Sequence, residues 1–170
     1  MVLNPGILAE SYDGQWVKNQ RHGRGVYRYK KMHQTTISYD GEWSEGIRHG
    51  YCEKMLFVDG GTYKGDMENE RMHGVGCRVW ADGSRYDGEW VNNSRHGRGV
   101  HLNASGDMHQ GAYFNDKKHG SGLITYSGNG NSMEGTWKEG MLAGGTGRYS
   151  LLVGDEVPGV DQIWLRVRGA

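Results

Sequence analysis

The sequence predicts an all-β fold: an elongated, twisted, single-layer antiparallel sheet made of about six stacked β-hairpins. Two observations predict it. A short motif of alternating aromatic and polar residues recurs every 23 to 27 residues, and a His-Gly pair follows it at a constant distance in five copies. A constant period with a degenerate last copy is typical of a solenoid.

The repeated motif is clearest at Tyr86-Asp87-Gly88-Glu89-Trp90. The copies begin at Tyr12, Tyr39, Tyr63, Tyr86, His109 and Met133. The His-Gly pairs begin at His22, His49, His73, His96 and His119, and the sixth copy has Gly144-Gly145 there, displaced by one residue.

The alternation within the motif predicts a half-buried strand. Successive side chains of a strand point to opposite faces, so Tyr86, Gly88 and Trp90 share one face, and Asp87 and Glu89 share the other. A glycine inside a strand predicts close packing above it, and Gly88 leaves room for a ring. We expect the paired carboxylates to form a solvated outer face.

The polar segment that follows, residues 91–97, predicts a hairpin loop of about five residues. Gly97 is expected to adopt a backbone angle that a side chain would disfavour. The second strand of the hairpin is then expected to begin near Gly99.

Three regions are predicted along the chain. Residues 1–11 are an N-terminal lead that caps the first edge, residues 12–150 are the repeat array, and residues 151–170 are a C-terminal tail. In the tail, Ile163, Leu165 and Val167 share one face of an alternating segment. This segment is either a last strand that covers the open edge or a docking tail. In the second case the contacts to a partner are Trp164, Arg166 and Arg168.

Composition excludes several classes of protein. The formal net charge is zero, whereas nucleic-acid binders normally carry a basic stripe. Neutrality also weakens a purely electrostatic attraction to membranes. The two cysteines, Cys52 and Cys77, form no framework of spacings and are expected to be reduced thiols of a cytoplasmic protein. We expect neither a signal peptide nor a membrane-spanning segment.

The repeated residues resemble the MORN repeat (membrane occupation and recognition nexus), which combines Tyr-x-Gly-x-Trp, a polar turn and His-Gly-x-Gly. The resemblance covers about residues 12–149. It departs at Tyr51-Cys52 in the second copy and at the missing tyrosine of the fifth. The resemblance implies cytoskeletal assemblies, such as ciliary axonemes, as the setting.

No residue pattern predicts catalysis, a metal or a cofactor. Equivalent histidines in neighbouring repeats are expected about 9–10 Å apart, whereas zinc holds nitrogen ligands at about 2.1 Å. Each imidazole is instead expected to pack on a ring or form a local hydrogen bond. No unique nucleophile and base stand out, so we expect no enzymatic activity.

These observations predict a scaffold or adaptor that presents an aromatic-lined groove to a protein partner, such as a helix. The predicted contact residues are Tyr12, Trp16, Tyr39, Trp43, Tyr63, Tyr86, Trp90, Tyr113 and Trp137. The alternative is a phospholipid-binding module, in which anionic head groups meet basic side chains such as Lys30, Lys31, Arg95, Arg98, Lys117 and Lys118. Self-association through the open ends is a further hypothesis.

Overall fold

Short antiparallel strands make up most of the described backbone. A computed structural model describes residues 10–29, 35–128, 130–143 and 148–150, the last three by their backbone only. These residues contain strands and turns and no helix. The chain divides into two compact units, residues 1–81 and 82–170, which are described separately below.

Unit 1 contains six strands, and each pairs antiparallel with the next along the chain. The strands are β1 (Ser11–Val17), β2 (Gln20–Arg28), β3 (Thr36–Ser44), β4 (Ile47–Phe57), β5 (Thr62–Glu68) and β6 (Arg71–Val79). The repeat motif forms β1, β3 and β5, and the His-Gly segments form β2, β4 and β6.

Unit 2 repeats this arrangement. Its strands are β7 (Arg85–Val91), β8 (Ser94–Leu102), β9 (Met108–Phe114), β10 (Lys117–Thr125), β11 (Ser132–Lys138), β12 (Met141–Leu142) and β13 (Arg148–Ser150). Strands β7 to β11 pair in chain order, and β12 and β13 both pair with β11. The predicted fold class, an open antiparallel sheet of hairpins, is confirmed for each unit.

The hairpin turns are shorter than predicted. Asn92 and Asn93 form a two-residue turn with φ of 51° and 70°, and β8 begins at Ser94 rather than near Gly99. Two positive φ values suit the turn type whose twist matches that of the flanking strands, and asparagine tolerates them better than most residues. The prediction of a five-residue loop was therefore wrong, because the polar residues after the turn belong to a strand.

The glycine of each His-Gly pair lies in a bulge inside the second strand. In β8 the register moves from Gly88 opposite Gly99 to Glu89 opposite His96, and Gly97 has φ of 52°. The Glu89 carboxylate accepts a hydrogen bond of 2.7 Å from the Arg98 backbone N–H. The predicted backbone angle of Gly97 is confirmed. The Glu89 carboxylate was expected to be solvated, and it also accepts a hydrogen bond from the backbone at the bulge.

Candidate interaction surface

One face of each unit carries an aromatic ladder, which consists of the first and fifth residues of each repeat motif. Tyr86 shows how a rung is built. Its ring lies over Gly99, where an added Cβ would come within 2.3 Å of the Tyr86 hydroxyl oxygen. The same hydroxyl is 3.2 Å from the carbonyl oxygens of Glu89 and His96, to which it is the donor. Glycine thus lets a tyrosine lie flat enough to bind the backbone at the bulge.

The rings of successive repeats interlock edge to face. Tyr12 contacts Trp16 of its own repeat and Trp43 of the next, with centroids 5.1 and 5.5 Å apart. Tyr86 contacts Trp90 and Tyr113 in the same way, at 5.1 and 5.2 Å. T-shaped pairs at this separation are favourable. The interlocking explains how a single layer can bury its large side chains.

Basic side chains cover parts of the ladder. The Arg21 guanidinium lies 4.4 Å from the Trp43 ring centroid, and the Arg95 guanidinium lies 5.4 Å from that of Tyr113. Arg95 also donates to the Asp116 carboxylate at 3.1 Å. Arg21 and Arg95 thus cover aromatic rings of their own unit through cation–π contacts.

The fifth repeat has His109 where the first four repeats have tyrosine. Its ring is 3% exposed and lies edge to face with Tyr113 and Trp137, at 5.0 and 5.2 Å. His109 Nδ1 is 2.7 Å from the Tyr113 hydroxyl oxygen, and Nε2 is buried without a hydrogen-bond partner. Burial, and then the Lys118 charge, lowers the pKa of His109 to about 4. The imidazole is therefore neutral at physiological pH.

The predicted contact residues divide by exposure. Trp16 is 57% exposed and Tyr12 is half-buried. The other seven have relative exposures of 4% or less, and they are Tyr39, Trp43, Tyr63, Tyr86, Trp90, Tyr113 and Trp137. Burial assigns these seven rings to the packing of the sheet. Their contact with a partner stays a prediction, and Trp164, Arg166 and Arg168 of the predicted docking tail lie outside the described residues.

The repeated histidines make local contacts. The rings of His96 and His119 lie 4.9 and 5.8 Å from Phe114, and His73 Nδ1 is 3.3 Å from the Glu68 carboxylate. For His96 and His119, the prediction of packing on a ring is confirmed, whereas His73 Nδ1 contacts Glu68 without a hydrogen bond. Across the residues that the structure describes, no three His, Cys, Asp or Glu side chains are grouped so as to hold a metal ion.

A groove on the other face of unit 2 was missed by the sequence analysis. Its volume is 670 Å³, and it crosses β8 to β11. Val100 lies opposite Asp87 and Gln110, and Leu123 lies opposite Gln110 and Glu134. Since Asp87 points away from the face of Tyr86, this row lies on the face opposite the ladder.

The lining of this groove mixes apolar and polar side chains, with Gln110 lying between Val100 and Leu123 and with Arg98 opposite Ala112. Gly99, Gly111 and Gly122 are included in the lining with Val100, Ala112 and Leu123. Arg98 lies on β8 and Glu134 on β11, so opposite charges lie on the two outer strands of the groove. A signal was present in the sequence, because an apolar residue follows the second glycine of His-Gly-x-Gly in both repeats. Unit 1 has a groove of 570 Å³ with a different character, lined by Glu42, Asp66, Glu68, His49 and His73 among others.

Several basic residues that the sequence offered for lipid head groups are already paired. Arg95 binds Asp116, and the Lys117 ammonium is 2.7 Å from the Glu139 carboxylate. Arg98 is exposed, whereas Lys30 and Lys31 lie outside the described residues. The described part of the chain also contains no helix with the length and hydropathy needed to cross a membrane.

Comparison with known families agrees with this architecture. The MORN repeat family model matches residues 12–31, 39–62, 63–85, 86–108 and 109–130. The chain belongs to the MORN-repeat family. Each matched MORN segment begins at the first residue of one copy of the motif, and β11 with β12 forms a sixth hairpin beyond them. A search of curated proteins gave no match. MORN repeats generally bind proteins or membrane lipids.

Proposed function

We propose that this MORN-repeat chain is a non-catalytic, cytoplasmic adaptor that binds a protein segment in the groove of unit 2. The observation that carries the proposal is a groove whose lining includes the apolar side chains Val100, Ala112 and Leu123 beside the polar Gln110 and Ser121. An exposed groove that mixes apolar and polar side chains is typical of a protein contact.

The dimensions of the groove favour a helix with one apolar side. The row from Val100 to Glu134 crosses three strand spacings, or about 14 Å, at roughly 4.8 Å each. That length corresponds to roughly nine residues of α-helix at 1.5 Å per residue. Arg98 at one border and Glu134 at the other favour a helix that carries complementary charges at its two ends.

The cellular setting that we propose is a cytoskeletal assembly such as a ciliary axoneme. Membership of the MORN-repeat family supports this setting by analogy.

The experiment is affinity capture from ciliated cells with the full chain, followed by mass spectrometry. Leu123→Lys places a charge in the groove, and Val75→Lys is the matched control on an exposed site of unit 1. We expect filament or motor proteins to be retained by the native chain and the control, and lost with Leu123→Lys. Equal capture by both variants would contradict the proposed site.

The rival function is binding of anionic phospholipids. The pairing of Arg95 with Asp116 and of Lys117 with Glu139 reduces the positive charge available to a membrane surface. Flotation with vesicles of phosphatidylserine and phosphatidylcholine separates the two functions. Salt-sensitive binding of the native chain would favour the lipid function, and recovery of the chain only in the unbound fraction would favour the adaptor.

A further inference from the structure

The first strand of unit 1 leaves one rung of the ladder incomplete. Trp43 packs between Tyr39 of its own repeat and Tyr12 of the preceding one, and it is 3% exposed. Trp16 occupies the same position in the first repeat, where no earlier described repeat supplies a ring, and it is 57% exposed. Its neighbour Val17 is 48% exposed.

The backbone of β1 has hydrogen-bonding groups directed to the open edge. Val17 and Gln20 flank the two-residue turn, and residues in that position exchange hydrogen bonds. Because bonding alternates along a strand, the N–H and C=O groups of Trp16, Gly14 and Tyr12 point away from β2. The register shift adds residues to β2, not β1, so the alternation in β1 is continuous.

A hydrogen bond between β2 and β3 independently indicates which backbone groups of β1 point to the open edge. The Tyr29 N–H donates to the Ile37 carbonyl at 2.9 Å, so Tyr39, two residues further on, also bonds toward β2. Tyr39 is the counterpart of Tyr12. The backbone N–H and C=O groups that Tyr39 directs to β2 therefore correspond to the groups that Tyr12 directs to the open edge.

We propose that β1 pairs with β1 of a second copy of this chain, antiparallel about a twofold axis at Gly14. In this register Tyr12 of each copy lies opposite Trp16 of the other, on the aromatic face. Each exposed indole then gains a cross-strand aromatic partner, and the outward backbone groups bond to their counterparts. The described edge contains no lysine, proline or bulge that would oppose such pairing.

The side chains on the other face can form hydrogen bonds in this register. The same pairing places Asp13 of each copy opposite Gln15 of the other, on the face opposite the aromatic ladder. Repeats two to four carry Glu42, Asp66 and Glu89 at the position of Gln15. An acidic residue there would face Asp13, whereas the Gln15 amide can donate to it. Gln15 of the first repeat is neutral, as self-pairing in this register requires, and repeats five and six also have neutral residues at this position, Ala112 and Thr136.

The preceding residues of the chain are poorer occupants of this edge. Residues 1–9 contain no aromatic side chain, and Pro5 lacks a backbone N–H. They therefore cannot supply Trp16 with a ring equivalent to the one that Tyr12 supplies to Trp43, nor can they form a full ladder of backbone hydrogen bonds. The seven-residue edge is small compared with a standard interface of about 1,600 Å², so we expect a weak, concentration-dependent dimer.

Analytical ultracentrifugation of the full chain over a wide concentration range tests the proposal. We expect a monomer–dimer equilibrium that Gln15→Glu weakens by about tenfold, because it creates two like-charge pairs across the axis. The double variant Asp13→Lys with Gln15→Glu reverses one sign in each pair and should restore the dimer. Gln15→Glu should leave the fold intact, because other repeats already carry an acid at this position.

Met141→Lys is the control at the far end of unit 2, where Met141 is 72% exposed. It should leave the dimer unchanged. A monomer at every concentration would overturn the proposal, as would a dimer indifferent to Gln15→Glu. Open-ended oligomers that Met141→Lys abolishes would show head-to-tail contacts between copies instead, and would overturn it too.

Discussion

The contact between Gly99 and the Tyr86 ring permits a direct test of how the ladder is built. A Cβ at position 99 would lie 2.3 Å from the Tyr86 hydroxyl oxygen and 2.4 Å from two ring carbons. Ordinary carbon contacts are near 3.5 Å, so the ring would have to move by roughly 1 Å. It has little room to do so, because Tyr86 is fully buried between Trp90 and Tyr113.

Gly99→Ala should therefore lower the free energy of unfolding by about 1–3 kcal/mol, the usual cost of overpacking. This outcome opposes the intrinsic preference, since alanine in a strand normally has an advantage over glycine of roughly 0.5–1 kcal/mol. Gly128→Ala is the control, because no atom lies within 4 Å of its added Cβ. Urea unfolding followed by circular dichroism measures both.

The decisive comparison repeats Gly99→Ala in a Tyr86→Ala background. Loss of the ring should itself cost about 3–5 kcal/mol, because it leaves a cavity above the glycine pair. With the ring absent, the three nearest atoms to the added methyl group are gone, so Gly99→Ala should cost much less than it does in the native chain. An equal cost in both backgrounds would refute the proposed steric origin, and so would a harmless Gly99→Ala in the native chain.

Three further outcomes follow from the site geometry. The folded-state pKa of His109 is about 4, below its unfolded value, so its contribution to stability is present above about pH 6.5 and lost as the pH falls toward 4. His109→Tyr should thus shrink the difference between urea midpoints at pH 5 and pH 7, and an unchanged difference would contradict this assignment. Burial raises the pKa of the Cys52 thiol to about 12, so iodoacetamide at pH 8 should alkylate Cys77 before Cys52, as peptide mass spectrometry can measure. At Asn92, where φ is 51°, substitution by valine should cost about 1–2 kcal/mol in urea unfolding, whereas glycine should be nearly neutral.

The sequence was sufficient to predict the hairpins, because their period and alternation are local properties. Tyr86, Gly88 and Trp90 share a face as their spacing requires, and Gly97 has the expected positive φ. The turn at Asn92 was placed wrongly, since polarity does not distinguish a loop from a bulged strand. Only the register between Glu89 and His96 makes that distinction.

The candidate site was harder to predict because it depends on which rings remain exposed. Spacing identifies Trp16 and Trp43 as equivalent, yet Trp16 is 57% exposed and Trp43 is 3% exposed, because only Trp43 has a described repeat before it. The groove around Val100 and Leu123 required knowledge of four strands in register. No single repeat contains that information.

The two-residue turns have a consequence for how this protein is made. Hairpin β1–β2 closes between Ser11 and Arg28, and the next pairing reaches only from Gly23 to Trp43. Such short separations favour rapid chain collapse, and each hairpin can form as soon as it leaves the ribosome without waiting for distant segments. A gene for such a protein can gain or lose one repeat. The repeats on either side of the change then pack against each other through equivalent surfaces.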